Sequence, residues 1–424
     1  NDTIHFHLSE STGKQSNVIL EIYDLTRETR RGILGKFPVI QYPVPPLGAI
    51  EGYRWPSIAS VSIPPEWPSG MYSCRVIPSA DSADHTVQDI VFIVHPSLSK
   101  RSKVAVIANT NTWNAYNIEG DYSYYAKDYT VWGGYPERGT GASILSFERP
   151  NPLANPRPKN PQDRKDWLEI WGGAELWFLQ WLADQAVAFD LYSDQDFHNL
   201  GAYFSDYKMI ILQCHPEYWT ETMYKNLVAY LNSGGSLLYL GGNGIYERVE
   251  YDSTGSKMVG RPLSPSTTTT AYRWFMRNQL PELSILGVSF DEQNTSSKDD
   301  PTINRTSGYD IQPEQRGHWV FEGIGPGNLI GNNWESGPQQ GCNGGACGFE
   351  MDKAYACYGN RPPTNCVTLA IGRVNGDGAH MTYYDHSGGG FVFSAGSVTY
   401  TGSLIRDPDL KIMFFNKLRR AGAI

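Results

Sequence analysis

The chain has 424 residues with 35 Lys and Arg against 44 Asp and Glu, a formal net charge of -9. No Lys/Arg cluster reverses that balance, so nucleic acid and anionic membrane are poor partners, and no apolar run reaches the roughly 20 residues of a membrane-spanning helix. Charged residues are sparse at 19% while Tyr (26), Trp (12), Gly (43) and Pro (27) are plentiful, which predicts a soluble, compact, loop-rich chain long enough for two domains.

Residues 1–98 read as all-β. Asn17–Tyr23, Ala59–Ile63, Met71–Ile77 and Ile90–Val94 are short strand-like runs parted by Pro and Gly, as in a small sandwich. Such a module braces its neighbour or binds carbohydrate or protein. His95–Leu98 reads as the linker. The first residue is Asn rather than Met, so the chain reads as a processed product or as part of a longer one, with no signal peptide visible.

The second domain, 99–424, opens with the buried-strand pattern Lys103–Ala108, succeeded at once by the polar cluster Asn109–Asn117. A long loop over 110–165 carries Tyr122, Tyr124, Tyr125, Tyr129 and Tyr135, and a loop of that length in a compact domain points to function. Gly172–Ala188 is a predicted helix and Phe189–Tyr192 a strand. Met209–Leu212 is a second buried run, stopped at Gln213–Trp219, where Pro216 must interrupt a central strand. Thr220 caps a helix that buries Met223, Leu227, Tyr230 and Leu231. Ser236–Leu240 is the next strand and runs into Gly241-Gly242-Asn243-Gly244. The order β-α-β-β-α-β predicts an α/β fold: a doubly wound, mostly parallel, flavodoxin-like sheet behind a small all-β sandwich.

Residues 245 to about 365 are weakly periodic and read as an insertion or lid. They hold the sequons Asn294 and Asn304, with a third at Asn1, which predict glycosylation. Cys342, Cys347, Cys357 and Cys366 crowd a Gly-rich segment at spacings that match no common zinc pattern, so two disulfides are expected. Disulfides and sequons suit a secreted or extracellular protein; the cytoplasm is the alternative. Val367–Ile371, Met381–Tyr384 and Gly389–Ser397 read as strands. A last helix starts at Asp407-Pro408 and buries Leu410, Met413, Phe414 and Leu418.

Three strand ends thus deliver polar groups to one edge of the sheet: Asn114 and Tyr116, His215 and Glu217, and Asn243. Their convergence makes a pocket the default expectation. Each residue has an ordinary reading as well: a backbone-bonded histidine, a helix-start carboxylate, a buried phenol, an Asn needed for positive φ. Cys214 offers a different chemistry, a thiol hydrolase, although its neighbours are Gln213 and His215 and the strained Gly-x-Cys-x-Gly elbow that exposes such a sulfur is missing.

The motifs Trp67–Tyr72, Thr112–Asn117, His215–Trp219, Gly241–Gly244 and Gly389–Ser397 together resemble the large (beta) subunit of N,N-dimethylformamidase and its relatives, over most of the chain from about residue 60 to 405. The resemblance implies an amidotransferase-like α/β domain and a mononuclear ferric (Fe3+) site held by two tyrosines and a glutamate. Carried over, Glu217 is the carboxylate ligand, Tyr116 one tyrosinate and Tyr135 the second, with Tyr125 and Tyr129 as rivals. His215 and Asn243 are the catalytic candidates, and Trp113, Asn114 and Trp219 the candidates for substrate contact. Phenolate and carboxylate are hard donors suited to a hard trivalent ion.

The expected function is metal-dependent hydrolysis of a C–N bond in a small amide, by a homo-oligomer or with a small accessory subunit. The competing expectations are a non-catalytic, lectin-like or defence protein, whose Tyr and Trp would stack on sugars, and the Cys214 amidohydrolase.

Overall fold

The computed structural model describes residues 2–424 apart from 12, 14, 80–86, 98–100, 125–139, 157–171, 261–279, 291–306, 333–344, 349, 358 and 374–376. Near the N-terminus, Thr29–Val39, Ser16–Asp24, Gly70–Pro78 and Gln88–Val94 form, in that order, a four-stranded antiparallel sheet. Thr3–His7 pairs with Ser57–Ser62 as a separate ribbon. In Ser16–Asp24 every second residue is buried, so Val18, Leu20 and Ile22 share one face and pack with Phe6, Tyr72 and Val94. Hydrogen bonds tie this module to the larger C-terminal part of the chain. Ser69 Oγ accepts from Leu191 N at 2.7 Å, and Gln180 Nε2 donates to Leu25 O at 3.0 Å.

The centre of the molecule is a nine-stranded sheet. Its order is Asp190–Ser193, Val104–Ala108, Met209–Cys214, Ser236–Gly241, Phe391–Ser394, His380–Asp385, Val367–Gly372, Tyr309–Ile311 and Leu329–Ile330. The first five strands run parallel, and every later pairing is antiparallel. This corrects the expected doubly wound, mostly parallel, flavodoxin-like fold: the sheet is mixed, the chain is β-rich, and further small sheets flank the large one. The physical reason lies in the connections. A parallel neighbour needs a crossover of a dozen or more residues. Asp385 instead returns to Phe391 through a tight turn in which His386 N donates to Gly390 O at 2.8 Å, and only an antiparallel hairpin fits.

Both faces of the sheet are covered. Met209 and Ile211 point into one apolar core with Leu179 and Leu182 of the helix Gly172–Asp184 and Met413 and Phe414 of the helix Pro408–Arg420. Ile210 and Leu212 point into the opposite core with Met223, Leu227 and Leu231 of the helix Glu221–Asn232. Two-sided burial explains why the strand is continuously apolar rather than alternating.

The expected disulfides are also corrected. No disulfide joins Cys347, Cys357 and Cys366, whose sulfurs are held in separate surroundings. Cys347 Sγ lies in the core, accepting from Ala379 N at 3.3 Å and donating to Met351 Sδ at 3.5 Å. Cys357 Sγ sits 3.3 Å from Ser289 Oγ, and Cys366 Sγ approaches Gly287 O at 4.0 Å. Cys342 and the sequons at Asn1, Asn294 and Asn304 lie outside the described residues.

Candidate active site

The strand Met209–Cys214 ends in a forced bend. Cys214 has φ 55, and Gly242 N donates to Cys214 O at 3.1 Å. A Cβ on Gly241 would stand 2.3 Å from that same carbonyl oxygen, so only glycine permits the approach. The bend carries His215-Pro216-Glu217 across the end of the sheet. The short helix Thr110–Tyr116 is stitched to this segment: Thr112 Oγ1 donates to His215 O at 2.9 Å and accepts from Glu217 N at 3.3 Å. Asn111 Nδ2 donates to Tyr218 O at 3.1 Å.

Two buried carboxylates fix the start of that helix. Glu175 accepts Asn109 N at 3.1 Å, Asn109 Nδ2 at 3.0 Å and Trp113 Nε1 at 2.8 Å, while the same Asn109 Nδ2 reaches Gln213 O at 2.8 Å. Asp194 Oδ2 accepts Asn111 N at 2.7 Å and Thr110 Oγ1 at 3.3 Å. Burial pushes the Glu175 carboxyl up to about 7 despite the donors around it.

At the centre several side chains meet. Tyr116 Oη donates to Glu217 Oε2 at 2.8 Å. His215 Nε2 is 3.2 Å from Glu217 Oε2 and 2.7 Å from Glu350 Oε2. Asn243 Nδ2 donates to the same Glu350 Oε2 at 2.9 Å, and Asn243 N donates to Asp352 Oδ1 at 2.8 Å. Behind them Tyr239 Oη donates to Asp352 Oδ2 at 2.6 Å and accepts from Gly244 N at 2.7 Å. Burial pulls the His215 imidazole down, but the Glu350 and Glu217 carboxylates outweigh it and push it up to about 10. Burial pushes Asp352 up to about 7.

Backbone strain gathers here. Cys214 (φ 55), Asn243 (φ 51), Ile245 (φ 52) and Glu350 (φ 41) all lie in the left-handed region that non-glycine residues avoid. Strain of this kind clusters at active sites and ligand clamps, which makes this polar cluster the candidate site.

The family described as N,N-dimethylformamidase beta subunit-like, C-terminal, matches residues 28–410. The chain belongs to that family. The N,N-dimethylformamidase beta subunits of Alcaligenes sp and Paracoccus aminophilus are 23% and 24% identical to it over 84% of this chain and 52% of their own length. It therefore spans about half the length of the curated relatives it matches.

Within this dimethylformamidase-like chain, four of the residues expected from the sequence come together: Tyr116, His215, Glu217 and Asn243. Trp113 is turned onto Glu175, and the Asn114 oxygen is occupied by Arg149 Nη2 at 3.1 Å, so both serve the scaffold as placed. Trp219 is fully buried against Phe197 in the sheet core. Tyr135, Tyr125 and Tyr129 lie outside the described residues. Cys214 is fully buried and packs with Leu153, Ala174 and Val398. Glu350, Asp352 and Glu175 are absent from the sequence-based expectation. Glu350 and Asp352 come after a Gly-rich run with no periodic signal, and Glu175 looks like any helix residue.

The donors suit a hard cation. Among the described residues no group of three His, Cys, Asp or Glu side chains is arranged to hold a metal ion. Tyr116 Oη and Glu217 Oε2 converge at 2.8 Å, and both are hard oxygen donors.

Proposed function

We propose that this chain hydrolyses the C–N bond of a small amide. The convergence of Tyr116, His215, Glu217 and Glu350 at the end of Met209–Cys214 carries the reading, and the relatives named as N,N-dimethylformamidase beta subunits support it. Tyr116, Glu217 and a third donor, Tyr135, would hold a ferric ion. Such an ion, when bound, supplies Lewis acidity toward a carbonyl oxygen and an acidified water.

The chain's own residues do the rest. His215 Nε2, between two carboxylates, holds a proton and is placed to hand it to a departing nitrogen. Glu350 fixes that imidazole and orients Asn243. Burial of His215, Glu217 and Asn243 keeps bulk water from competing for these bonds. Because the relatives are named as a subunit, we propose that the chain also works in an assembly, as a homo-oligomer or with an accessory subunit.

The sugar-binding alternative needs exposed aromatic rings. Among the described residues Tyr355, at 52%, is the one strongly exposed large aromatic. The deciding experiment is release of ammonia from formamide and of amine from N-methylformamide and N,N-dimethylformamide by the purified chain, with metal content and a visible spectrum on the same sample. Turnover with about one iron per chain and a tyrosinate band supports the proposal. No turnover after loading with ferric ion, alone and with any co-purifying subunit, overturns it.

A further inference from the structure

We propose that Asn243 Oδ1 accepts the N–H of the leaving nitrogen, so that the Asn243 and Glu350 side of the site is an amine subsite that binds the alkylammonium product. The inference rests on the amide-hydrolase reading and assigns one side of the site to one half of the substrate.

Asn243 is 3% exposed and held at both ends. Its backbone N donates to Asp352 Oδ1 and its Nδ2 donates to Glu350 Oε2. The second contact fixes the amide orientation, because the opposite rotamer would set Oδ1 against a carboxylate oxygen. Oδ1 is thereby left as a buried acceptor with no hydrogen-bond partner among the described residues. Native interiors rarely leave such an atom unused. It belongs to an amide whose other end touches the oxygen that lies 2.7 Å from His215 Nε2, which places the open acceptor within the same buried polar cluster.

The chemistry selects the donor. In amide hydrolysis the water oxygen bonds to the carbonyl carbon, the C–N bond breaks, and its electron pair stays on nitrogen, which takes a proton. The acid product gives up its own proton, leaving carboxylate and ammonium. A fully substituted amide nitrogen has no hydrogen to offer in the ground state and gains one only as the bond breaks. The proton handed over by His215 lies between the two nitrogens, so Oδ1 meets an N–H of its own once the dialkylammonium product carries its second hydrogen, and the subsite favours that product over a fully substituted amide. The neighbouring Glu350 carboxylate favours a donor that carries positive charge.

Calorimetric titration of the full chain with dimethylammonium and with tetramethylammonium tests this without any turnover. The two cations share charge, but only the first has N–H. Dimethylammonium is expected to bind at least tenfold more tightly, and Asn243→Gly, which tolerates the positive φ, is expected to abolish the difference. Equal binding of the two cations, or a preference that survives in Asn243→Gly, overturns the subsite even if the chain hydrolyses amides. A preference that Asn243→Gly removes, in a chain with no turnover, upholds the subsite and sinks the hydrolase reading instead. Should Asn243→Gly fail to fold, the wild-type comparison of the two cations decides.

Discussion

Glu350 Oε2 lies 2.7 Å from His215 Nε2, joining a residue just before the short strand Asp352–Lys353 to one just past the parallel strand Met209–Cys214. Glu350→Gln removes that charge while keeping the side-chain shape. The imidazole is then expected to lose its proton at lower pH, and kcat is expected to fall by a factor of about 10² to 10⁴. Imidazole proton NMR and the alkaline limb of the rate profile report the two effects. An unchanged limb would remove Glu350 from the reaction.

Tyr116→Phe and Glu217→Gln each delete one hard oxygen donor from the pair that meets at 2.8 Å. If the proposed ferric ion binds at this pair, each variant is expected to retain less than about a tenth of the iron the wild type holds, since even losing a group that merely supports a ligand costs about 10- to 100-fold in metal affinity. Elemental analysis after dialysis decides. Wild-type iron content in both variants would move the metal elsewhere.

Two buried carboxyls each work against folding as pH rises. Glu175 has its folded-state carboxyl raised to about 7 from 4.5, and Asp352 to about 7 from 3.8. Between those limits the native state keeps a proton that the unfolded chain has lost, so each group disfavours folding increasingly as pH climbs through the window. At about 1.4 kcal/mol per pH unit, Glu175 alone accounts for about 3 kcal/mol. His215, raised to about 10 from 6.5, acts in the same sense: its stabilisation is complete below 6.5 and lost as pH passes through 10. The buried Lys417 ammonium, pushed well below its usual range, acts in the opposite sense, so the check is the difference between wild type and Glu175→Gln in urea denaturation from pH 4.5 to 9. Glu175→Gln should remove its own contribution below pH 7, leaving that of Asp352, and should leave the slope above pH 7 unchanged.

Thiol chemistry offers a separate check. Cys214 and Cys347 are fully buried, whereas Cys357 and Cys366 are partly exposed. Iodoacetamide on the native protein is expected to label Cys357 and Cys366 first and to leave activity intact. Loss of activity in step with labelling of Cys214 would revive the thiol-hydrolase reading. Failure of Cys347, Cys357 and Cys366 to take label after denaturation without reductant would restore the disulfides.

The half of the site built on parallel strands is legible in the sequence. Uninterrupted apolar runs ending in Cys214 and Gly241 locate His215, Glu217 and Asn243, because only two-sided burial keeps a strand wholly apolar. The other half is not. Glu350 is brought in by a segment whose two-residue strand has no period to read, and Glu175 sits in a helix where any residue type could stand. The apolar pattern misleads about the sheet because it carries no strand direction; the tight turn between Asp385 and Phe391 does, and it demands a hairpin. The cysteine spacing misleads because proximity along the chain says nothing of where each thiol points once Cys347 enters the core.

The mixed sheet also has a bearing on how the protein reaches its working form. Tyr116, His215 and Asn243 hang from strands of the parallel half. Asp352, which holds the Asn243 backbone, lies on a two-residue strand outside that half, paired with Ser289–Phe290. Contacts between such distant stretches of chain close slowly, because the loop entropy must be lost before they form. The polar cluster is therefore complete only once that separate strand has docked beside the parallel half, and burial of the parallel strands alone does not build it.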